Sequence, residues 1–423
     1  VDEARARLRD TFVAVRSRTL ALIEPLEVED LVVQSMPDAS PARWHLAHTT
    51  WFFESFVLFP FAPGFSPFDP AFGLLFNSYY HALGERWRRP DRGLLSRPTV
   101  RRVLEYRRAT DERVEALIAD ARDEDWPRLA ERITLGLEHE EQHQELLLMD
   151  VKHLLGLNPL GPAYRPECTR PPRAAPPVQL APLRWIEGPV GAVQIGAAGE
   201  AFAFDNEGPR HTTWLQPYAL AHRLVSVGEY LAFVEDGGYR RPELWLSDGW
   251  ATVEREGWEA PLYWRREQGR WSVFSLDGWG PLDATEPVAH VSYFEADAYA
   301  RWAEARLPTE AEWEALAAGA PVRGNLLESG ALHPRPASAE AGGLAQLFGD
   351  VWEHTRSAYS PYPGYRPPPG ALGEYNGKFM SGQQVLRGGS ALTPAAHVRA
   401  SYRNFFHPHQ RWAMQGLRLA RDA

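Results

Sequence analysis

The sequence predicts an α+β chain: a helical first domain over residues 1–158, then a loop-rich domain of short strands and helices over 183–423. Three observations carry this. Runs with apolar residues at helical spacing fill the first 158 residues, eight prolines crowd into 159–182, and twelve of the sixteen tryptophans lie after residue 182. Recurring glycines and short aromatic runs in that last part favour strands and loops over long helices. At about 100–200 residues per domain, two or three domains are expected.

In chain order, 11–23 and 100–121 mix apolar and charged residues with a helical period. Ser40-Pro41 reads as a helix start, Ser40 as N-cap and Pro41 at the first helical position. That helix runs through Trp44, His48 and Trp51. A further helix over 131–155 ends at Gly156 and Asn158-Pro159. The stretch 159–182 reads as a stiff, extended linker. Beyond it, one helix is expected at about 293–305 and another from Thr309, where Thr309 and Glu312 have the spacing of a capping box.

Composition narrows the function. There are 45 Lys+Arg against 55 Asp+Glu, a net charge of −10, which argues against nucleic acid as a partner. With 44% hydrophobic and 24% charged residues, global disorder is excluded. A single cysteine, Cys168, rules out an internal disulfide and any multi-cysteine metal site, and fits a reducing compartment. The apolar run 51–61 is broken by Glu54 and Pro60 and is too short to span a bilayer. The first residues do not read as a signal peptide. A soluble cytoplasmic protein, without a nucleic-acid or membrane partner, is expected.

The sharpest chemical signal is His139-Glu-Glu-Gln-His143. Side chains four apart share a helix face, so both imidazoles can reach one metal. The bland alternative is two solvated histidines on a polar surface. Leu146, Leu147 and Asp150 follow at helical spacing and turn that face inward, where buried histidines need partners. A third imidazole can come from His45 or His48, three apart on the preceding helix. Three neutral imidazoles leave open positions on zinc or iron(II), which suits a catalytic metal. Tyr79-Tyr80 is either packing or, facing the metal, a proton donor. Arg86 and Arg89, three apart on a helical turn, are either a solvated patch or a clamp on a substrate carboxylate.

The second domain brings a family into view. Val291-Ser-Tyr-Phe-Glu-Ala-Asp-Ala-Tyr-Ala-Arg-Trp302, Arg306-Leu-Pro-Thr-Glu-Ala-Glu-Trp-Glu314, Phe348-Gly-Asp-Val-Trp-Glu353, Leu386-Arg-Gly-Gly-Ser390 and Gly416-Leu-Arg-Leu-Ala-Arg421 resemble, in that order, the formylglycine-generating-enzyme fold, a C-type-lectin-like architecture. Those enzymes hold copper on paired cysteines, and this domain has no cysteine. Joined to an N-terminal DinB-like four-helix bundle, the whole chain apart from its linker resembles the ergothioneine-pathway sulfoxide synthases. The resemblance implies a non-haem iron(II) enzyme that uses O2 as co-substrate to join a thiol sulfur to the imidazole C2 of hercynine. It selects His48, in Trp44-His-Leu-Ala-His48, with His139 and His143 as metal ligands. It implies that Gln142 contacts the substrate imidazole and that Tyr79-Tyr80 are the paired tyrosines of the cysteine-accepting subgroup. Arg86 and Arg89 match the residues that hold the thiol's carboxylate, and Asn404, Phe405 and Phe406 match the hercynine-binding loop.

Departures from the family pattern fall at His354, His81, Ala391 and Met414. They open the choice of donor. Cysteine is favoured by both arginines and both tyrosines. The alternative is a selenosugar, as in the sister group that makes selenoneine, with His354 and His81 bonding its hydroxyls. A third relative joins cysteine to histidine on the way to ovothiol. Two other classes are a zinc-dependent hydrolase or thiol transferase and a non-catalytic binding module; fold alone does not choose between them.

Overall fold

The computed structural model of the chain describes residues 2–165, 182–199, 201–338 and 343–423. Most of the proline-rich stretch 159–182, with Cys168, lies outside the described residues. The chain forms two compact units. The first is Val1–Leu160 with Pro369–Tyr375; the second is Gly161–Pro368 with Asn376–Ala423. Nothing in the sequence signals that 369–375 belongs with the helical residues.

The first unit is built on α1 (Asp2–Ile23), α2 (Ala42–Phe53), α5 (Val100–Asp120) and α6 (Trp126–Leu157). A π-helical turn, Glu54–Leu58, continues α2 into the single turn α3 (Phe59–Phe61), and α4 (Phe72–Phe76) follows. On α1, Phe12, Val15, Arg16, Thr19, Leu22 and Ile23 form one buried face, and α5 buries Val103, Tyr106, Arg107, Thr110, Val114 and Ile118 in the same period. Thr99 caps α5 by accepting from the Arg102 N–H at 3.2 Å. Every residue of α2 is buried, so α2 is the central helix of this unit. Gly136 lets α6 approach it: a Cβ there would stand 2.7 Å from the Phe53 ring.

Ser40 does not cap α2. Pro41 takes the N-cap position, and Ser40 Oγ instead accepts from Arg92 at 2.8 Å while its N–H donates to Asp150 at 2.8 Å. The sequence reading missed this because capping and long-range pairing compete for the same short side chain.

Charge is buried where the four helices meet. Glu140 of α6 accepts from Arg16 at 2.7 Å and Thr19 at 2.6 Å, both on α1, and from Arg107 on α5. Arg16 also reaches Asp111 at 2.6 Å and Thr50 of α2 at 3.1 Å. Gln144, one turn on from Glu140, donates to the Val15 carbonyl at 2.9 Å. Burial alone would raise the Glu140 pKa. The Arg107 and Arg16 guanidiniums outweigh it and hold the carboxyl at about 2.

The second unit has short strands of two to seven residues. Trp185–Glu187 and Ala420–Asp422 both pair antiparallel with Tyr218–Ala221, so the first and last strands close one sheet. A four-stranded sheet runs in the order Asn404–Phe406, Gln384–Arg387, Trp352–Ala358, Gln415–Gly416. Its helices are α7 (Val227–Glu235), α8 (Ser247–Glu256), α9 (Tyr293–Trp302) and α10 (Glu310–Ala317). Ser226, Ser292 and Thr309 each form a capping box, the last as expected. Helix α9 stops three residues short of its expected end; Glu304, at φ +52°, leaves the helical region. The motif segments interlock through buried charge: Arg387 bonds Glu310 at 3.0 Å and Glu314 at 2.8 Å, Arg403 bonds Glu310, and Arg418 bonds Glu353 at 2.8 Å.

Glu140→Ala strands two buried guanidiniums. It is expected to destabilise the first unit by about 3–5 kcal/mol, read from urea unfolding followed by helical circular dichroism; a loss under about 1 kcal/mol would make the cluster energetically ordinary.

Candidate metal centre

Helix α2 supplies His48 and α6 supplies His139 and His143. One ring nitrogen from each lies within 4.8 Å of the others, and the ring centroids are 4.6–5.0 Å apart. His48 and His139 are buried, and His143 is partly open. His48 Nδ1–H donates to the Phe76 carbonyl at 2.6 Å, which puts the bare lone pair on Nε2. That Nε2 stands 3.3 Å from His139 Nε2. Two nitrogens bound at about 2.0–2.1 Å to one metal stand roughly 3–3.4 Å apart, so this spacing fits a shared ion. Burial pushes all three imidazoles below their ordinary pKa, His139 to about 3, so each is neutral at pH 7 with a lone pair to give.

The His48 ring is held in a stack. Trp44 lies parallel on one side at 4.5 Å and 11°, and Trp51 on the other at 5.6 Å and 19°. The spacing i−4 and i+3 along α2 puts all three on one face. Arg92 caps the stack, its guanidinium 3.3 Å from the Trp44 ring centroid. Arg92 is buried and also bonds Ser40 and, at 3.2 Å, Ser78.

His45 turns away from the three imidazoles' shared point. Its Nδ1 bonds His143 Nδ1 at 2.8 Å and its Nε2 bonds Asp150 at 3.1 Å.

Three phenols line the same region. Tyr80 is fully buried, packed on Phe56 at 5.0 Å and Trp51 at 5.7 Å, with its oxygen 3.5 Å from that of half-buried Tyr79. Burial raises the Tyr80 pKa well above its ordinary value. The third is Tyr375, which the sequence reading missed. It donates to Gln142 Oε1 and its ring lies 5.6 Å from His139 and 6.3 Å from Tyr79. Glu374 holds it there by accepting from the N–H groups of His81 and Ala82 at 3.1 and 2.9 Å. No local pattern marks residue 375; a tyrosine after a glycine-rich loop is unremarkable in sequence.

Arg86 and Arg89 do not share a helical turn, as their spacing had suggested. Residues 84–88 are irregular, and Arg89 only opens the 3₁₀ turn Arg89–Leu94. Both side chains are exposed, Arg86 bonding the Ser78 carbonyl at 3.3 Å and His81 at 3.3 Å. Gly84, at φ +108°, ends the 3₁₀ turn His81–Leu83 that precedes them. A buried guanidinium, Arg92, lies three residues beyond Arg89.

The remaining expected site residues belong to the second unit. Asn404, Phe405 and Phe406 form the edge strand of the four-stranded sheet and are half-buried. Phe405 stacks on Tyr359 at 4.0 Å and 10°. His354 is buried in Trp352–Ala358, its Nε2–H donating to the Val291 carbonyl at 3.0 Å. Ala391 and Met414 are likewise buried.

Burial pulls the His354 pKa from about 6.5 down to about 4. The unfolded chain then binds more protons between those values, so stability falls as pH drops from about 6.5 to about 4. His354→Phe is expected to flatten that dependence by up to about 1.4 kcal/mol per pH unit, measured by urea unfolding across the window; an unchanged slope would contradict it.

Comparison with known proteins adds the family. A DinB superfamily model matches residues 11–154, and the sulfatase-modifying factor enzyme 1-like domain matches 184–342 and 327–423. The chain is 34% identical over 449 residues to the hercynine oxygenase of Mycolicibacterium thermoresistibile, covering 99% of this chain and 95% of that protein. It is 34% identical to the hercynine oxygenase of Mycobacterium tuberculosis, with 96% of each covered. The formylglycine-generating enzyme of Streptomyces coelicolor is 29% identical over 62% of this chain and 93% of its own length. Likeness over the full length of both chains, with a helical DinB-like unit followed by a mixed α+β unit, establishes that this chain belongs to the hercynine oxygenase family.

Proposed function

We propose that the chain is an iron(II)-dependent, O2-using hercynine oxygenase of ergothioneine biosynthesis, joining a thiol to the imidazole C2 of hercynine, with His48, His139 and His143 as ligands. The carrying observation is the convergence of three neutral imidazoles within 4.8 Å in a chain of this family. Bound iron(II) supplies O2 activation and lowers the pKa of a coordinated thiol. Three protein ligands leave positions open for both. No helix among the described residues is long and apolar enough to cross a membrane; with a single cysteine, we place the enzyme in the cytoplasm.

The chain's own groups divide the remaining work. Phe76, Trp44 and Trp51 hold His48 in one orientation. Tyr80 keeps its phenolic proton at neutral pH and has it available for a reacting oxygen beside the histidines. Tyr375 orients Gln142, the residue assigned to the substrate imidazole. Asn404, Phe405 and Phe406 are assigned to hercynine. Cysteine is the donor we favour, with Arg86 and Arg89 for its carboxylate. The selenosugar reading loses one support, because His354 is buried and spends its Nε2–H on a backbone carbonyl.

Anaerobic iron titration followed by aerobic turnover, read by mass spectrometry, tests this. His48→Ala, His139→Ala and His143→Ala are each expected to lose iron by more than the roughly 10–100-fold typical of residues behind the ligands. Full iron loading in any of them removes that residue from the set. Activity with zinc in place of iron would favour a hydrolase or transferase.

Tyr80→Phe keeps the ring and removes the proton. Sulfoxide formation from hercynine and cysteine is expected to slow by about 10²-fold or more, with diversion to oxidation of the thiol alone. An unchanged rate and product would make Tyr80 a packing residue. Turnover with a selenosugar and none with cysteine would change the donor and leave the metal centre standing.

A further inference from the structure

Helix α2 carries a second histidine three residues before the ligand position, and the geometry points to distinct work for His45. We propose that His45, backed by Asp150, is a positioning residue that sets the tautomer of His143 and so leaves His143 Nε2 as the metal-binding atom. The inference rests on the reading of His48, His139 and His143 as ligands.

The argument is a chain of donors and acceptors. Asp150 as a carboxylate only accepts, and its Oδ2 lies 3.1 Å from His45 Nε2. His45 therefore carries its proton on Nε2. The neutral ring then has a lone pair at Nδ1, 2.8 Å from His143 Nδ1. Two nitrogens at that distance share one proton, so His143 Nδ1–H must donate. His143 Nε2 is left bare. The reverse tautomer of His45 would aim an N–H at His143 Nδ1 and drive that ring's proton to Nε2, closing the ligand. Asp150 prevents the reversal.

The carboxylate is itself anchored. Asp150 Oδ2 also accepts the Ser40 backbone N–H at 2.8 Å, and Ser40 Oγ accepts from buried Arg92 at 2.8 Å. The same Arg92 lies against Trp44, which stacks on His48. Two of the three imidazoles are thus held from behind through one guanidinium: His48 by the stack, His143 by the Ser40–Asp150–His45 chain. Carboxylate–histidine partners of this kind orient metal-binding imidazoles and raise their basicity. Here an extra imidazole is interposed, because Asp150, seven residues along α6 from His143, approaches the ligand only across the α2 side chain between them.

The test compares iron(II) affinity of the full chain, measured anaerobically against a chromophoric chelator, with the electron paramagnetic resonance of the iron–nitric oxide adduct. His45→Leu keeps bulk and removes both hydrogen bonds. It is expected to weaken iron binding by about 10–100-fold and to change the rhombicity of the adduct. His45→Gln keeps one acceptor and one donor and is expected to bind within a few-fold of the unaltered chain. Asp150→Ala, which retains His45 and frees its tautomer, is expected to weaken binding in the same direction, and serves if His45→Leu does not fold. Wild-type affinity and spectrum in both His45→Leu and Asp150→Ala would overturn the proposal, as would a Gln variant as weak as Leu. His143→Ala is the separating control: if it binds iron like the unaltered chain, the ligand reading itself has failed.

Discussion

The buried carboxylate of Glu140 sets the rotation of α6, and the candidate metal centre follows from that rotation. Successive residues on a helix point about 100° apart. With Glu140 and Gln144 turned onto α1 and α5, His139 and His143 are turned onto α2. A charge taken out of water is costly unless it is paired and hydrogen-bonded. Any other rotation of α6 would leave Glu140, Arg16 and Arg107 buried without each other. Apolar packing alone tolerates small rotations; this cluster does not.

Helix α2 is constrained from the other side. It is buried all round, so apolar contact alone gives it no preferred face. Specific contacts supply one. Ser40 and His45 bond Asp150 of α6, Thr50 meets Arg16 of α1, and Thr49 meets Arg107 of α5 at 3.4 Å. The imidazoles therefore project from two helices whose rotations are each fixed by polar contacts behind them. A site built on rigid elements holds its geometry better than one built on loops. Loop residues come in beside this framework: Tyr375 packs on His139, and Tyr79 packs in turn on Tyr375 and Tyr80.

The second unit solves a different problem. Its strands are two to seven residues long and its connections are irregular, so backbone pairing alone fixes little. Buried arginine–glutamate pairs tie segments far apart in the chain: Arg387 to Glu310 and Glu314, Arg418 to Glu353. Four of the five motif segments of this domain are the places where those charges sit. Their sequence pattern is a record of pairing in the core, and it appears in a domain without a cysteine to run formylglycine chemistry.

What the sequence determined by itself is what lies within one element. The four-residue spacing of His139 and His143, the capping box at Thr309 and Glu312, and the helical periods of α1, α5 and α6 are relations along a single helix, and spacing encodes them. Family likeness added the order of the domain motifs and the preference for His48. The tertiary structure decided what depends on how elements meet. His45 and His48 are both buried on α2, and spacing permits either; the Phe76 carbonyl and the two tryptophan rings turn His48 to His139, while Asp150 takes His45. Arg86 and Arg89 look like a helical pair, but 84–88 is irregular and the next turn begins only at Arg89. Tyr375 comes beside His139 from more than two hundred residues away, held by Glu374 on the N–H groups of His81 and Ala82. Such contacts form only when distant backbone is already folded, so no local pattern announces them.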